Sequence, residues 1–138
     1  MAANAPDPGQ ADPLGLAGVV APTVTAFGAS GDLDAAATAA HARFVVAGGA
    51  DAVFPLGTNG EFAMLSDTER HRVVETVADA VDVPVIAGVG HPSTRESVAS
   101  AEHAQRAGAD GVVVVTPYYY PLDDRAALGA DLRDLGLL

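Results

Sequence analysis

Short apolar runs alternate along the chain with longer segments whose apolar residues recur every three to four positions. Glycine, proline or serine separates one from the next. Such alternation predicts strands and helices in turn. Residues 18–25 read as a first strand, apolar and β-branched apart from Ala21-Pro22. A Gly/Ser turn over 27–32 leads to a helix over 33–47, with Leu33, Ala37, Ala40 and Phe44 at helical spacing. Asp32 or Asp34 is suited to its N-cap, and Gly48-Gly49 ends it. A second strand covers 52–56. The second helix opens at Ser66, which has capping-box spacing to Glu69, and Val73, Val74, Val77 and Val81 form its buried stripe. A third strand over 83–87 precedes a second capping-box pair, Ser93 with Glu96, and a helix that runs to about Ala107 before Gly108 stops it. The fourth strand is 111–115. A last helix is predicted from about Asp123, with Leu128, Leu132 and Leu135 on one side.

Repeated βα units with short connections imply an α/β fold with parallel strands and helical crossovers. The repeat is also visible in the residues themselves. Gly49-Ala50-Asp51-Ala52-Val53 is echoed by Gly108-Ala109-Asp110-Gly111-Val112, each at a helix-to-strand turn. A (β/α)8 barrel is built from such units, and a doubly wound sheet also contains them. In either fold the loops after the strands carry the ligand site, here residues 23–27, 57–61, 88–93 and 116–120. Residues 1–14, rich in Ala, Pro, Asp and Gly, read as a disordered arm, and 15–138 as the folded unit.

Composition narrows the chemistry. A formal charge of −11 and a pI of about 4.4 argue against nucleic acid and anionic membrane surfaces as partners. All seven basic residues are arginine, and lysine is absent. Cysteine is absent too, so the chain has no disulfide, thiol nucleophile or cysteine zinc site. No residue run resembles a signal peptide or a membrane span, and a cytoplasmic location is expected. At 138 residues the chain is one domain at most, or part of a larger one.

The loop Pro55-Leu56-Gly57-Thr58-Asn59-Gly60-Glu61 holds the densest chemistry. Gly57 and Gly60 permit a sharp turn that brings backbone N–H groups close to a ligand. Thr58 and Asn59 offer hydrogen-bonding groups suited to a small anion or a carbonyl compound. An ordinary turn is the alternative, because Gly and Asn make turns without any ligand. Gly88-Val89-Gly90-His91-Pro92-Ser93 has a GxG spacing, but Ser93 stands where a phosphate loop has Gly or Ala, and the next strand ends in Val115-Thr116 rather than an acid. A tight turn is the favoured role there. His41, His71, His91 and His103 include no pair at helical ligand spacing, so no metal site is expected. Tyr118-Tyr119-Tyr120 either covers apolar surface at a rim or interface, or supplies a phenol that moves a proton with Thr58 as partner.

Taken together the loops resemble the N-terminal half of the dihydrodipicolinate synthase / N-acetylneuraminate lyase family. The stretches that carry this are Val24-Thr25-Ala26-Phe27 with Gly31-Asp32-Leu33-Asp34, and Gly57-Thr58-Asn59-Gly60-Glu61-Phe62 with Leu65-Ser66 and Glu69-Arg70. Val83-Pro84-Val85-Ile86-Ala87-Gly88-Val89-Gly90, Ala107-Gly108-Ala109-Asp110-Gly111 and Thr116-Pro117-Tyr118-Tyr119 follow in order. The resemblance implies a (β/α)8 barrel and a pyruvate-dependent, Schiff-base-forming lyase or aldolase without a further cofactor. It implies that Gly57, Thr58 and Asn59 bind the carboxylate of a 2-oxo acid such as pyruvate. It also implies that Thr58 and Tyr119 take part in a proton relay, Tyr119 reaching a neighbouring subunit's site in a homo-oligomer.

Three residues depart from the family pattern. Ala26 replaces a usual proline, Asn59 a second threonine, and Tyr120 an asparagine. Gly-Thr-Asn-Gly-Glu resembles instead the branches acting on hydroxy-oxo acids. Only about four of the eight βα units are present, and the Schiff-base lysine and a second relay tyrosine belong to the other half. The expectation is therefore a truncated half-barrel, inactive by itself as an aldolase. A truncated or frame-shifted product, a self-pairing non-catalytic half-barrel, and a flavodoxin-like phosphate-binding domain are the readings of how such a chain arises or functions.

Overall fold

In a computed structural model of the chain, the structure describes residues 14–119. Most of the predicted arm, Tyr120 and the last predicted helix lie outside them. Four strands, β1 (Val20–Pro22), β2 (Ala52–Phe54), β3 (Ile86–Gly88) and β4 (Gly111–Val113), alternate with three helices, α1 (Ala35–Ala47), α2 (Asp67–Ala78) and α3 (Thr94–Arg106). Two 3-10 turns, Thr58–Gly60 and Phe62–Met64, lie between β2 and α2. β1 pairs parallel with β2, Val20 opposite Ala52, and β3 pairs parallel with β4, Ile86 opposite Gly111. A parallel bridge between Val53 and Val85 joins the two pairs. Each strand thus lies beside its sequence neighbour, the order expected of consecutive barrel units. The ladders are shorter than the apolar runs that predict them.

Side-chain alternation along the strands sorts residues between two faces. Val53, Val85, Ala87 and Val89 pack in one core with Val73, Val74 and Val77 of α2 and Ala101 and Ala104 of α3. On the opposite face, Val20, Val24, Val113 and Val115 are each just over 40% exposed.

The helices are capped unequally. Asp34 is the N-cap of α1 and accepts the Ala37 N–H at 2.9 Å, while Asp32 accepts the Ser30 hydroxyl. The buried face of α1 is Thr38 and Ala42, not the expected stripe: Ala40 is exposed and Phe44 is 74% exposed. An alanine-rich helix carries little directional signal, and Thr38 sets the phase by accepting the Ala26 N–H and donating to the Asp34 carbonyl. α2 forms the full capping box between Ser66 and Glu69. α3 does not: the Ser93 side chain makes no cap bond, and its backbone N–H, which Glu96 would have accepted, donates to Nδ1 of His91 at 3.0 Å.

The Gly-Ala-Asp echo has one physical meaning in both places. Gly49 and Gly108 hold left-handed φ of 98° and 92° after their helices. The following aspartates then reach back to the preceding strand. Oδ2 of Asp51 accepts the Val19 N–H at 2.7 Å, and Oδ2 of Asp110 accepts the Val85 N–H at 2.9 Å. Each aspartate therefore ties one βα unit to the unit before it. Replacing Asp110 with Ala removes an ionic acceptor from a half-buried N–H and is expected to cost about 1–2 kcal/mol in denaturant unfolding. Asp110→Asn should recover part of this loss.

The α2–α3 contact also has a pH signature. The His71 and His103 rings stack at 3.8 Å with 14° between planes, and His103 Nε2 lies 3.4 Å from Glu75. Burial, and then the neighbouring His103, hold the His71 imidazole below its ordinary pKa, against the opposing pull of Asp67 and Glu75. The folded chain binds this proton less readily than the unfolded one, so the stabilisation is present above pH 6.5 and is lost as pH falls below it. Melting temperature should fall between pH 7 and about pH 5.5, and less so in His71→Phe. Equal falls in both proteins would count against the stack as the cause.

Candidate active site

The loops after β2, β3 and β4 converge at one end of the sheet. Phe54, Leu56, Gly57, Thr58 and Phe62 line one side of a cavity of ≈130 Å³, and Gly88, Gly90, Val113 and Val115 line the other. Clefts for drug-sized ligands run to about 300–1,000 Å³, so this space suits a compound of few heavy atoms. A larger groove between α1 and α2, bordered by Ala35, Ala39, Arg43, Arg72 and Asp79, lies away from these loops.

The turn after β2 is built under constraint. Leu56 takes φ 61° and Glu61 φ 55°, both left-handed and both unusual for residues with side chains. The twist at Leu56 lays its carbonyl across β3: a Cβ on Gly88 would stand 2.3 Å from that oxygen. The Gly88 N–H donates to the Pro55 carbonyl at 2.9 Å and fixes the same crossing. From the β1 side, the buried Thr25 hydroxyl donates to the Gly60 carbonyl at 2.8 Å. Gly57 packs on the Phe54 ring, whose Cε1 would be 3.0 Å from a Cβ there. Three consecutive strand ends thus hold one loop.

The loop also presents polar groups that its own turn does not use. The turn's own bonds use the N–H groups of Gly60 and Glu61, donating to Gly57 and Thr58. Among the described residues, the N–H groups of Thr58 and Asn59, at the start of that turn, have no acceptor. The Thr58 and Asn59 side chains are exposed. Thr58 lines the cavity, whereas Asn59 and Tyr119 are not part of its wall. Tyr118 meets Phe62 edge to face, with centroids 6.1 Å apart, and Tyr119 is 74% exposed.

The GxG loop is already engaged. The Val89 N–H donates to Val113, and the His91 N–H to the Ser97 hydroxyl oxygen. A Cβ on Gly90 would lie 2.3 Å from Cγ1 of Val115. These glycines serve close packing, and His91 braces its own turn by accepting from Ser93. Among the described residues no group of three or more His, Asp or Glu side chains could hold a metal ion, and no helix is long and apolar enough to cross a membrane. Two features escaped the sequence reading. Phe62 forms part of the cavity, and Arg70 is buried. Arg70 stands three and four positions before Val73 and Val74, so the periodicity of α2 already placed it on the inner face.

Parallel βα units in sequential order, each strand beside its sequence neighbour, are the arrangement of consecutive units of a (β/α)8 barrel. Residues 15–127 match the dihydrodipicolinate synthetase family, and the chain belongs to that family. It is 65% identical over 130 residues to a DapA-like lyase of Halobacterium salinarum, covering 93% of this chain and 43% of that protein. It is 44% identical over 104 residues to a 4-hydroxy-tetrahydrodipicolinate synthase of Rhizobium meliloti, covering 74% and 35%. The crystal structure of YagE from Escherichia coli K12, a dihydrodipicolinic acid synthase family protein in complex with pyruvate, superposes with a TM-score of 0.78 at 39% identity. That match covers 86% of this chain and 40% of YagE. The chain therefore spans less than half the length of these relatives, and its fold is a partial barrel.

Gly88→Ala tests the crossing directly. Its Cβ cannot coexist with the Leu56 carbonyl, so a loss of about 2 kcal/mol or more is expected. Gly28→Ala, with its nearest neighbour at 3.8 Å, serves as control and should stay within about 0.5 kcal/mol.

Proposed function

We propose that residues 15–138 form the N-terminal half of a (β/α)8 barrel and carry the carboxylate-binding part of a pyruvate-dependent, Schiff-base-forming lyase or aldolase site. Gly57, Thr58 and Asn59 hold the carboxylate of a 2-oxo acid. The Thr58 hydroxyl and the Tyr119 phenol pass a proton, Tyr119 acting across a homo-oligomer in a complete barrel. The observation that carries this reading is the turn at Thr58–Gly60, with two N–H donors that have no acceptor among the described residues and two exposed polar side chains at a strand's C-terminal end. Donors of this kind favour an anion over a neutral carbonyl compound. Pyruvate in the similar YagE structure supports a 2-oxo acid. We place the protein in the cytoplasm, with no nucleic-acid or membrane partner.

Class I aldolase chemistry needs an amine that attacks the ketone, loses water and leaves an imine. None of the 138 residues is a lysine. The chain alone therefore binds the acid but does not turn it over.

Two measurements check this. In 15N-labelled protein, pyruvate should shift the amide signals of Thr58 and Asn59, and methyl pyruvate, which lacks the carboxylate, should not. Equal responses to both would overturn the carboxylate cradle. Borohydride reduction in the presence of pyruvate should leave no stoichiometric adduct other than at the N-terminal amine, and an adduct elsewhere would overturn the inactivity.

A further inference from the structure

Arg70 is largely buried, and among the described residues it has no carboxylate partner. It is only 8% exposed, and its Nε has no hydrogen-bond partner among the described residues. The ion pairs among those residues involve Arg72, His103 and Arg106 instead. Its side chain joins the Val73, Val74, Val77 face, and the unpaired, buried Nε carries a desolvation cost there that an apolar residue would avoid. What Arg70 meets is an aromatic face: its Cζ lies 5.8 Å from the Phe62 ring centroid. Phe62 is also part of the cavity wall beside Thr58, and its ring takes Tyr118 edge-on with 89° between planes. Tyr118 directly precedes Tyr119.

We propose that Arg70 is a positioning residue, which through Phe62 and Tyr118 sets the distance between the Thr58 loop and the tyrosine loop. The ladder starts on a rigid helix, crosses the carboxylate loop and ends on the loop of the proposed relay phenol. It couples two segments that no strand pairing joins at that level. Arg suits this role better than Lys, because a planar guanidinium stacks on a ring and an ammonium does not. The functional part of the proposal rests on the carboxylate-cradle reading, and the geometric part does not.

The test uses Arg70→Met, Phe62→Leu and Phe62→Tyr in the full chain, with pyruvate as probe. The Tyr118 ring signals are followed by NMR, with pyruvate affinity from amide shifts. Arg70→Met and Phe62→Leu should both move the Tyr118 ring signals. Both should also weaken pyruvate binding by roughly 3- to 30-fold, the span of cation–aromatic contacts from partly to fully desolvated. Phe62→Tyr keeps the ring and should restore both readouts. If Arg70→Met does not fold, Phe62→Leu carries the same two readouts. A lowered melting temperature with unchanged ring signals and affinity would reduce Arg70 to a packing residue and overturn the proposal. Moved ring signals with unchanged affinity would overturn the coupling to the cradle. If the unaltered chain gives no pyruvate response, the cradle reading fails, and the Tyr118 signals alone uphold or overturn the ladder.

Discussion

The Leu56 carbonyl occupies the place where residue 88 would otherwise have a Cβ. That close approach fixes the site. Leu56 reaches it only with a left-handed backbone, a conformation that costs roughly 1–3 kcal/mol for a residue with a side chain. Gly88 makes room, and its N–H secures the crossing through the Pro55 carbonyl. With β2's exit laid over β3's end, Gly57 reaches the Phe54 ring, Gly60 reaches Thr25, and Thr58 comes to stand over the cavity. The strain at Leu56 is stored beside the cavity that Thr58 lines, where preorganisation would be useful to a bound compound.

Much of the architecture was legible because each unit announces its own boundaries. Ser66 and Glu69 mark the start of α2, and Gly48-Gly49 and Gly108 mark helix ends, all by local chemistry. The Gly-Ala-Asp echo was visible as a repeat, but its meaning was not, since Asp51 and Asp110 bond to strands some 32 and 25 residues earlier. Pattern reading failed where local signals were degenerate. Alanine after alanine in α1 left its rotation undetermined, and Thr38 decided it through a contact with Ala26. Ser93 and Glu96 had the correct spacing, yet His91 took the N–H that the box required.

The site shows the same division. Gly57 and Thr58, which line the cavity, stand where glycine placement and polar chemistry after an apolar run pointed, whereas Asn59, read from the same signal, is not part of the wall. In the wall opposite them, Gly88 and Gly90 lie in a loop the pattern marked, but Val113 and Val115 were not legible, because they are ordinary strand residues until the sheet turns them inward. Arg70 was hidden for a different reason. A charged residue at a stripe position is usually assigned to solvent, yet Arg70 follows its spacing to Val73 and Val74, is 8% exposed and lies near the Phe62 ring.

The sequential strand order has a consequence for how the polypeptide acquires its shape. β1 pairs with β2, β2 bridges to β3 and β3 pairs with β4, while α1 packs on α2 and α2 on α3. No described contact of this kind waits for a distant part of the chain. Each parallel pairing still has to close a loop of one whole βα unit before it is rewarded. As the ribosome releases each βα unit, its aspartate latch can close on the unit already outside the tunnel. The turn after β2, which needs only the ends of β1, β2 and β3, would take shape on the nascent chain before Val113 and Val115 of the opposite wall have been synthesised.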